Sequence, residues 1–283
     1  MQQAELTSQQ FDDFSTLIAS SLGIKMPPTK RTMLQSRLLR RARELGLGSV
    51  QDYHARFFSA PEVQRTELEH LLNLATTNKT DFFREPDHFD FLTQQALPAW
   101  RARSSCGPFK VWCAGCSTGE EAYTLAMVLL EQQARGQFDF SILATDVSTR
   151  VLEKAMEATY DEEHAAPIPA PLRKKYLLHG RNASAGLVKI APEVRERIRF
   201  GHLNFLSAQY GIRDQFHVIF FRNVMIYFDR DTQRQIVSRM CRLLPTGNWL
   251  ITAHAETLQG LGLPLNSVQA AVYVRTKGEP PTP

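Results

Sequence analysis

Residues 109–123, FKVWCAGCSTGEEAY, decide the fold of this chain of 283 residues. Phe109–Ala114 is a short apolar run typical of a buried strand, Gly115–Gly119 is a glycine-bearing loop, and a helical pattern continues to about Gln133. In this order the three elements form a turn suited to a nucleotide-like ligand. Glycine lets the backbone approach the ligand, and the helix start offers unpaired N–H groups. We therefore expect an α/β fold here.

Strands and helices alternate after this loop. The pattern predicts a strand at Phe140–Thr145 ended by Asp146, a helix from Ser148 to about Ala158, strands at Arg199–Leu203, Phe216–Phe221, Trp249–Ala253 and Ala271–Arg275, and a helix at Asp229–Leu244. Such alternation is typical of a parallel sheet covered by helices, so residues 109–283 are predicted to form a Rossmann-like α/β domain. Residues 161–198 fit it poorly. They predict a small antiparallel β-subdomain insertion, built as a hairpin around Gly180–Gly186.

The residues before this domain have a helical pattern. Residues 1–75 are predicted to form an all-helical N-terminal domain, and residues 76–108 a linker that contributes to the site. One predicted helix, from about Thr29, carries apolar residues on one side and a cluster of cations largely on another. The cations are Lys30, Arg31, Arg37, Arg40, Arg41 and Arg43. By its pattern this basic helix, from Lys30 to Arg43, faces outward. It therefore predicts an acidic partner surface, and a plain solvated face is the alternative.

Composition agrees with a globular protein of two domains. Hydrophobic residues make up 43% and charged residues 22% of the chain, with a formal net charge of +4. No apolar run approaches the roughly 20 residues that span a bilayer, and Glu5, Asp12 and Asp13 argue against a signal peptide. We expect a cytoplasmic protein without membrane insertion.

Four cysteines occur, Cys106, Cys113, Cys116 and Cys241. Cys113 and Cys116 form one C-x-x-C, a spacing found in redox pairs and in half of a zinc site. No second C-x-x-C or H-x-x-x-H follows, so we expect no metal. The cysteines are then small apolar side chains in a tight segment.

The acidic residues beside the glycine loop indicate the ligand. Glu120 and Glu121 at the helix start would repel a pyrophosphate, whereas S-adenosylmethionine carries a cationic sulfonium and an ammonium group. The alternative is a capping box of Thr118 with Glu121 or of Ser117 with Glu120. Asp146 ends the second strand, where an acid holds a ribose diol; an N-cap role for the next helix is its alternative.

Five segments in order resemble the CheR-type chemotaxis receptor methyltransferases. They are TTNKTDFFREPDHF at 76–89, VWCAGCSTGEEAY at 111–123, ATDVS at 144–148, HLNF at 202–205 and FRNVMIYFD at 221–229. Lys79, Ala122 and Phe205 replace the more usual Leu, Pro and Leu of that family. The resemblance extends from about residue 10 to 275.

The resemblance implies a protein-glutamate O-methyltransferase that uses S-adenosyl-L-methionine, releases S-adenosyl-L-homocysteine and esterifies glutamates of a chemoreceptor. It implies that Arg84 and Tyr227 lie beside the reacting methyl group. A surface ion pair of Arg84 with Glu85, and a core position for Tyr227, are the alternatives. The cofactor residues that it implies, beside Gly115 of the loop, are Asn78, Thr80, Arg84, Glu121, Asp146, Asn204, Phe205, Arg222 and Asn223.

The resemblance also implies the partners. The basic helix would meet Glu-rich helices of the receptor's cytoplasmic domain, and in some family members the β-subdomain binds a C-terminal receptor peptide by adding a strand. A nucleic-acid methyltransferase is the first alternative. It is disfavoured because RNVM at 222–225 replaces the motif of amino-group methylation. A non-catalytic S-adenosylmethionine-binding module, the second, is disfavoured by Arg84, Asp146 and Tyr227. We expect no nucleic-acid partner.

Overall fold

A computed structural model describes residues 5–76, 78–103 and 107–279. The chain divides into two compact units. The first comprises Met1–Thr77 with Tyr227–Thr232, and the second comprises Asn78–Ile226 with Gln233–Pro283. Thr77, in the segment at 76–89, and Cys106 lie outside the described residues.

The first unit is built from helices, as the periodicity predicted. Its first helix begins with a capping box, in which Thr7 accepts from Gln10 N and the Gln10 side chain accepts from Thr7 N, and it ends at Gly23 with a φ of 70°. Phe14 packs against Tyr53 and Phe57 in the core, with ring centroids 6.0 and 5.5 Å apart. The helices are α1 (Ser8–Leu22), α2 (Arg31–Glu44), α3 (Val50–Phe57) and α4 (Pro61–Ala75).

The second unit contains a twisted sheet of seven strands in its described residues. These are β1 (Phe109–Ala114), β2 (Phe140–Asp146), β6 (Ile198–His202), β7 (Val218–Phe220), β8 (Trp249–Ile251), β9 (Leu265–Gln269) and β10 (Val272–Arg275). Their order is β6-β2-β1-β7-β8-β10-β9. The first five are parallel, whereas β10 runs antiparallel to both of its neighbours. The strand β9 was not predicted, because its side chains are largely exposed and show no apolar run.

Between β2 and β6 the chain forms a separate antiparallel sheet of three strands, β3 (Thr159–Asp161), β4 (Leu177–His179) and β5 (Leu187–Ile190), in the order β3-β5-β4. The predicted hairpin corresponds to β4 and β5. Its third strand begins two residues before the predicted boundary at 161. The predicted fold class, a Rossmann-like α/β domain with an all-helical N-terminal domain and a small antiparallel β-subdomain, is confirmed.

The second unit also contains helices, which lie before and between its strands in the chain. They are α5 (Asp87–Phe91), α6 (Leu97–Ala102), α7 (Glu120–Arg135), α8 (Thr149–Glu157), α9 (Ala170–Tyr176), α10 (Pro192–Arg195) and α11 (Arg230–Arg242). A wider π-helical turn at Leu92–Ala96 joins α5 to α6, so much of the segment predicted as a linker is helical. Its apolar residues Phe89, Leu92 and Leu97 are buried in the core of the second unit.

Among the described residues, no helix combines the length and the apolar character that a bilayer span requires.

Candidate active site

The loop after β1 has a backbone that depends on glycine. Gly115 has a φ of 88°, and a Cβ built there would lie 2.4 Å from Cγ2 of Val224. The amides of Gly115 and Cys116 both donate to the carbonyl of Thr145, at 2.8 and 2.9 Å. These hydrogen bonds fix the loop to the end of β2. A side chain at Gly115 would therefore push against Val224 while the loop is held in place.

The start of α7 leaves its two acids without a capping role. Gly119 is the N-cap, and no side chain caps the helix. Ser117 Oγ donates to the carbonyl of Asn78 at 3.0 Å, and Thr118 Oγ1 donates to the Glu120 carboxylate at 2.7 Å. The capping-box alternative is therefore wrong. Glu120 is 2% exposed, and its Oε1 is also hydrogen-bonded to His164 Nε2, at 2.9 Å.

Asp146 lies at the end of β2 and is 8% exposed. Its Oδ2 accepts from Ser117 N at 2.9 Å and its Oδ1 from Ser148 N at 3.0 Å, while Ser148 itself caps α8. Burial raises the pKa of this carboxyl, and the backbone amides of Ser148 and Ser117 oppose that rise. Asp146 thus holds the glycine loop against β2. Each of its oxygens keeps a further lone pair for a ligand hydroxyl.

Arg222 is the centre of a buried ionic network. Its side chain is 1% exposed, with Nη1 2.7 Å from Glu121 Oε2 and Nη2 3.1 Å from Glu85 Oε2. Nη2 also donates to the backbone carbonyl of Arg84 at 2.5 Å. Glu85 is thus paired with Arg222, and the alternative of a surface ion pair between Arg84 and Glu85 is wrong. Glu85, which sequence reasoning did not place in the site, orients this network.

The backbone of Arg84 is fixed by the hydrogen bond from Arg222, whereas its guanidinium is available to a ligand. Nη1 lies 3.4 Å from the carbonyl of Lys79, and the side chain is partly exposed. Within the described part of the chain, Arg84 forms no ion pair. The turn that carries it is tight, since Phe83 and Glu85 on either side have positive φ values of 55° and 54°.

Three further predicted residues surround the ends of β6 and β7. Asn204 Oδ1 accepts from Leu206 N at 2.9 Å. Phe205 is 6% exposed and packs edge-on against Phe221, with centroids 5.1 Å apart. Asn223, with a φ of 58°, donates its N–H to Glu256 Oε2 at 3.0 Å.

Glu256 was missed by sequence reasoning. It is 7% exposed, and burial raises its pKa against the opposing effect of several backbone amides. It also accepts from Ala253 N at 2.9 Å. Its only local signal is an acid that shortly follows the apolar strand β8.

Tyr227 belongs to the first unit. Its backbone carbonyl accepts from Lys25 N at 3.3 Å, and Lys30 Nζ lies 5.1 Å from the centroid of its ring. Its predicted place beside Arg84 and the methyl group stays a prediction.

The cations of α2 and its approach are less exposed than predicted. Arg37 Nη1 donates to the carbonyls of Leu74 and Thr76 at 2.6 and 2.7 Å. Arg41 lies 2.9 Å from Glu67 Oε1, and its side chain is 16% exposed. Arg31 Nε donates to the carbonyl of Leu6 at 3.1 Å. Burial lowers the pKa of Lys30.

The outward projection predicted for these cations is thus wrong for Arg37 and Arg41, which serve the helical unit itself. Arg40 and Arg43 are exposed.

The cysteines that the structure describes are free thiols and buried. Burial raises the pKa of Cys113 and Cys116 far above the ordinary thiol value. Cys113 Sγ donates to Glu121 Oε1 at 3.2 Å. A protonated, buried thiol is a poor nucleophile, and the pair acts as small packing groups as predicted.

An open cleft of about 550 Å³ lies beside the loop. It shares Asn78 and Thr80 with the predicted cofactor set and is also lined by Thr118, Glu120, Tyr160 and His164. Tyr160 lies in β3 of the β-subdomain, and His164 lies in the turn that follows this strand. Tyr160 Oη donates to the carbonyl of Thr118 at 2.6 Å.

These groups suit S-adenosylmethionine. Asp146 can accept further hydrogen bonds from hydroxyl groups. Glu121 already balances Arg222, yet its carboxylate has acceptor sites beyond that pair. Asp146 and Glu121 contribute the negative charge that a ligand with sulfonium and ammonium groups requires.

Comparison with known proteins gives the chain its family. Residues 9–76 match the all-alpha domain of CheR methyltransferase, and residues 78–274 match its SAM binding domain. The chain is 35% identical to chemotaxis protein methyltransferase 2 of Pseudomonas aeruginosa over 98% of this chain and 94% of that protein. It is 36% identical to the chemotaxis protein methyltransferase of Klebsiella aerogenes, over 98% and 92%, and 35% identical to that of Escherichia coli, over 96% and 92%. The chain belongs to the CheR methyltransferase family, whose cofactor is S-adenosylmethionine.

Proposed function

We propose that this protein transfers a methyl group from S-adenosylmethionine to glutamate side-chain carboxylates of chemoreceptors, for sensory adaptation. The products are a glutamate methyl ester and S-adenosylhomocysteine. The observation that carries the proposal is the match to both family domains, from residue 9 to residue 274, together with relatives named chemotaxis protein methyltransferase along nearly the whole chain. We also propose that the protein acts in the cytoplasm.

The chemistry requires positioning more than acid–base catalysis. S-adenosylmethionine supplies an electrophilic methyl group on its sulfonium. A glutamate carboxylate is already an anion at neutral pH, so the protein needs no general base to generate it. The task of the residues is to align the two reactants and to exclude water. This fits a site in which the described thiols are buried and protonated.

Arg84 is our candidate for orienting the acceptor carboxylate. Its guanidinium has no carboxylate partner among the described residues, whereas its backbone carbonyl is fixed by Arg222 at 2.5 Å. A fixed backbone with an available guanidinium suits charge-assisted hydrogen bonds to an incoming carboxylate. Tyr227 is proposed to shape the methyl pocket or to hydrogen-bond an acceptor oxygen.

The cofactor is proposed to lie along the loop after β1. Asp146 accepts from the ribose hydroxyls, and the acidic character of Glu121 favours the cationic end of the molecule. Supporting this placement, Asp146 bonds directly to the loop through Ser117 N, and the loop bonds to Asn78 through Ser117 Oγ. The other proposed cofactor residues are Thr80, Arg84, Gly115, Asn204, Phe205, Arg222 and Asn223.

The receptor is proposed to dock on residues 1–75 through cations of the basic helix. Arg40 and Arg43 are exposed and form no ion pair with the residues that the structure describes, so they can meet glutamates of the receptor directly. The β-subdomain ends in two edge strands, β3 and β4. Either edge could extend by one strand when a C-terminal receptor peptide binds.

The proposal is tested by incubating the protein with labelled S-adenosylmethionine and membranes that contain candidate receptors. We expect label in the receptor as methyl esters that are released by base. Base-stable label on added RNA or DNA would instead establish a nucleic-acid methyltransferase. Binding of S-adenosylmethionine by calorimetry with no transfer to any receptor would establish a non-catalytic binding module.

A further inference from the structure

A cluster of metal-ligating side chains lies in the second unit, and its member Glu85 also pairs with Arg222 of the candidate active site. One ligand atom each from Glu85, His88 and His254 lies within 4.8 Å of the other two. Asp87 adds a fourth group, with Oδ2 3.1 Å from His254 Nε2. Glu85 and His88 are three residues apart at the start of α5, and His254 follows β8.

His88 is the unusual member of this cluster. Its side chain is fully buried, yet neither ring nitrogen has a hydrogen-bond partner among the described residues. Buried polar atoms are nearly always paired, so a side chain with two unpaired nitrogens calls for an explanation. Both nitrogens face carboxylates at longer range, with Nδ1 3.4 Å from Glu85 Oε2 and Nε2 3.9 Å from Asp87 Oδ2.

We propose that Glu85, His88 and His254 form a binding site for a zinc ion, with Asp87 as the outer partner of the two histidines. Imidazole and carboxylate groups are the ligands that zinc takes beside thiolates, in tetrahedral sites with bonds of about 2.0–2.2 Å. Ligand atoms of such a site are then roughly 3.4 Å apart. His88 Nδ1 and Glu85 Oε2 are already 3.4 Å apart, and all three ligand atoms lie within 4.8 Å of one another, so side-chain movements would bring the three groups onto one ion.

The surroundings of the cluster suit this ion. When zinc binds one nitrogen of each histidine, Asp87 faces the other, with its Oδ2 3.1 Å from His254 Nε2 and 3.9 Å from His88 Nε2. Zinc-bound histidines usually have such an outer carboxylate partner. The cluster and its neighbour Glu121 hold three carboxylates against the single guanidinium of Arg222. Negative charge is therefore in excess where the ion would bind. Glu85 has a positive φ of 54°, a conformation that persists only where neighbours fix it.

The sequence predicted no metal site because it contains no second C-x-x-C and no H-x-x-x-H, the closely spaced ligand pairs by which zinc sites are recognised. The ligands found here come from two segments more than 160 residues apart, and only the turn before α5 and the end of β8 bring them together. The zinc ion binds to the folded chain, and no step of the proposed methyl transfer requires it.

The test is direct zinc binding by the full chain after treatment with a chelator. We expect one zinc ion per chain with a dissociation constant in the micromolar range or below. His254→Ala should weaken binding at least tenfold, and Asp87→Asn should weaken it by a smaller factor. Both residues are nearly half exposed, so the fold should survive their replacement.

His179 provides a matched control. It forms a similar histidine–carboxylate pair with Glu162 at 3.4 Å, both more than half exposed. His179→Ala should leave zinc affinity unchanged. Equal affinity in His254→Ala and His179→Ala, or no zinc binding by the wild type, would overturn the proposal.

Cobalt distinguishes this site from the buried cysteine pair. With nitrogen and oxygen ligands alone, bound Co²⁺ should show only its visible ligand-field bands. A strong near-ultraviolet thiolate-to-cobalt band would place the ion on Cys113 and Cys116 and would contradict the proposal.

Discussion

Arg222 Nη1 lies 2.7 Å from Glu121 Oε2, an ion pair between residues 101 positions apart. Both partners were predicted from the family resemblance as separate contacts of the cofactor. The structure shows them as one unit, in which the first turn of α7 is fixed to the end of β7. A change at either residue therefore acts on the site through the other.

Glu121→Gln is expected to weaken S-adenosylmethionine binding by roughly 2 kcal/mol, because the buried Arg222 loses its closest charged partner and the site loses negative charge. Calorimetric titration with the cofactor measures the change. Glu131→Gln is the control, since Glu131 lies on the same helix and pairs with Lys175 at 2.7 Å, and these two side chains are 31% and 50% exposed. Equal affinities in the two variants would remove Glu121 from the cofactor site.

Asp146→Ala is expected to weaken S-adenosylmethionine binding by roughly 1.5–3 kcal/mol, since the ribose contacts are lost and the amides of Ser117 and Ser148 are left without their acceptor. Asp146→Asn should have a smaller effect, because its carbonyl oxygen can still accept from one of the two amides. Calorimetry with both variants gives the ratio. Wild-type affinity in Asp146→Ala would exclude the residue from binding.

Arg84→Ala is expected to lower turnover by roughly 100-fold and to lower cofactor affinity much less. The guanidinium is available to a carboxylate substrate, whereas the turn is fixed by the backbone. Arg84→Lys should keep part of the rate. Steady-state methylation of receptor and calorimetric titration give the two quantities. If affinity and rate fall in proportion, Arg84 is a cofactor residue and the acceptor is oriented by another group.

Charge reversal at both Arg40 and Arg43 to Glu should slow receptor methylation several-fold at low ionic strength, and the difference from wild type should shrink as salt rises. Exposed charges contribute little to stability, so the fold should be unchanged. Reversal at Arg37 is unsuitable for this test, because its guanidinium holds the carbonyls of Leu74 and Thr76. Methylation rates across a salt series decide the outcome. Equal methylation rates of the variant and the wild type at low salt would show that this helix is only a solvated face and does not bind the receptor.

Arg41→Ala should destabilise the helical unit by roughly 3 kcal/mol near neutral pH, because it leaves the buried Glu67 carboxylate without its charged partner. Burial raises the pKa of Glu67, but hydrogen bonds and charge from Arg41 outweigh burial and hold the pKa below its ordinary value of 4.5.

A carboxyl whose pKa is lower in the folded than in the unfolded state stabilises the fold at pH values above its unfolded-state pKa. That stability is lost as the pH falls through its folded-state pKa. The difference between Arg41→Ala and wild type should therefore be largest above about pH 4.5 and shrink in more acidic solution. Urea unfolding at a series of pH values measures it. A difference that grows on acidification would show that Arg41 acts through another group.

Local sequence determined the elements that position the site. The apolar run before Gly115 reflects the burial of a strand, and the glycines of the loop reflect its positive φ angles. The acid at the end of β2 is placed by the alternation of strands and helices along the sequence. Those causes were sufficient for the fold class and for the place of Asp146. The edge strand β9 was not predicted because its side chains are mostly solvated, and pairing with β10 creates it.

Sequence alone determined which chemical groups this protein carries and in which order its strands and helices follow. Only the tertiary structure decided which of those groups are already paired. Arg37 and Arg40 read alike along α2, yet one holds backbone carbonyls and the other faces solvent. An ion pair of Glu85 with Arg84 was the alternative to the predicted role of Arg84, and Glu85 instead pairs with Arg222, 137 positions away. The physical reason is that an ion pair depends on distance in space, whereas a periodic pattern records only which face of an element is buried.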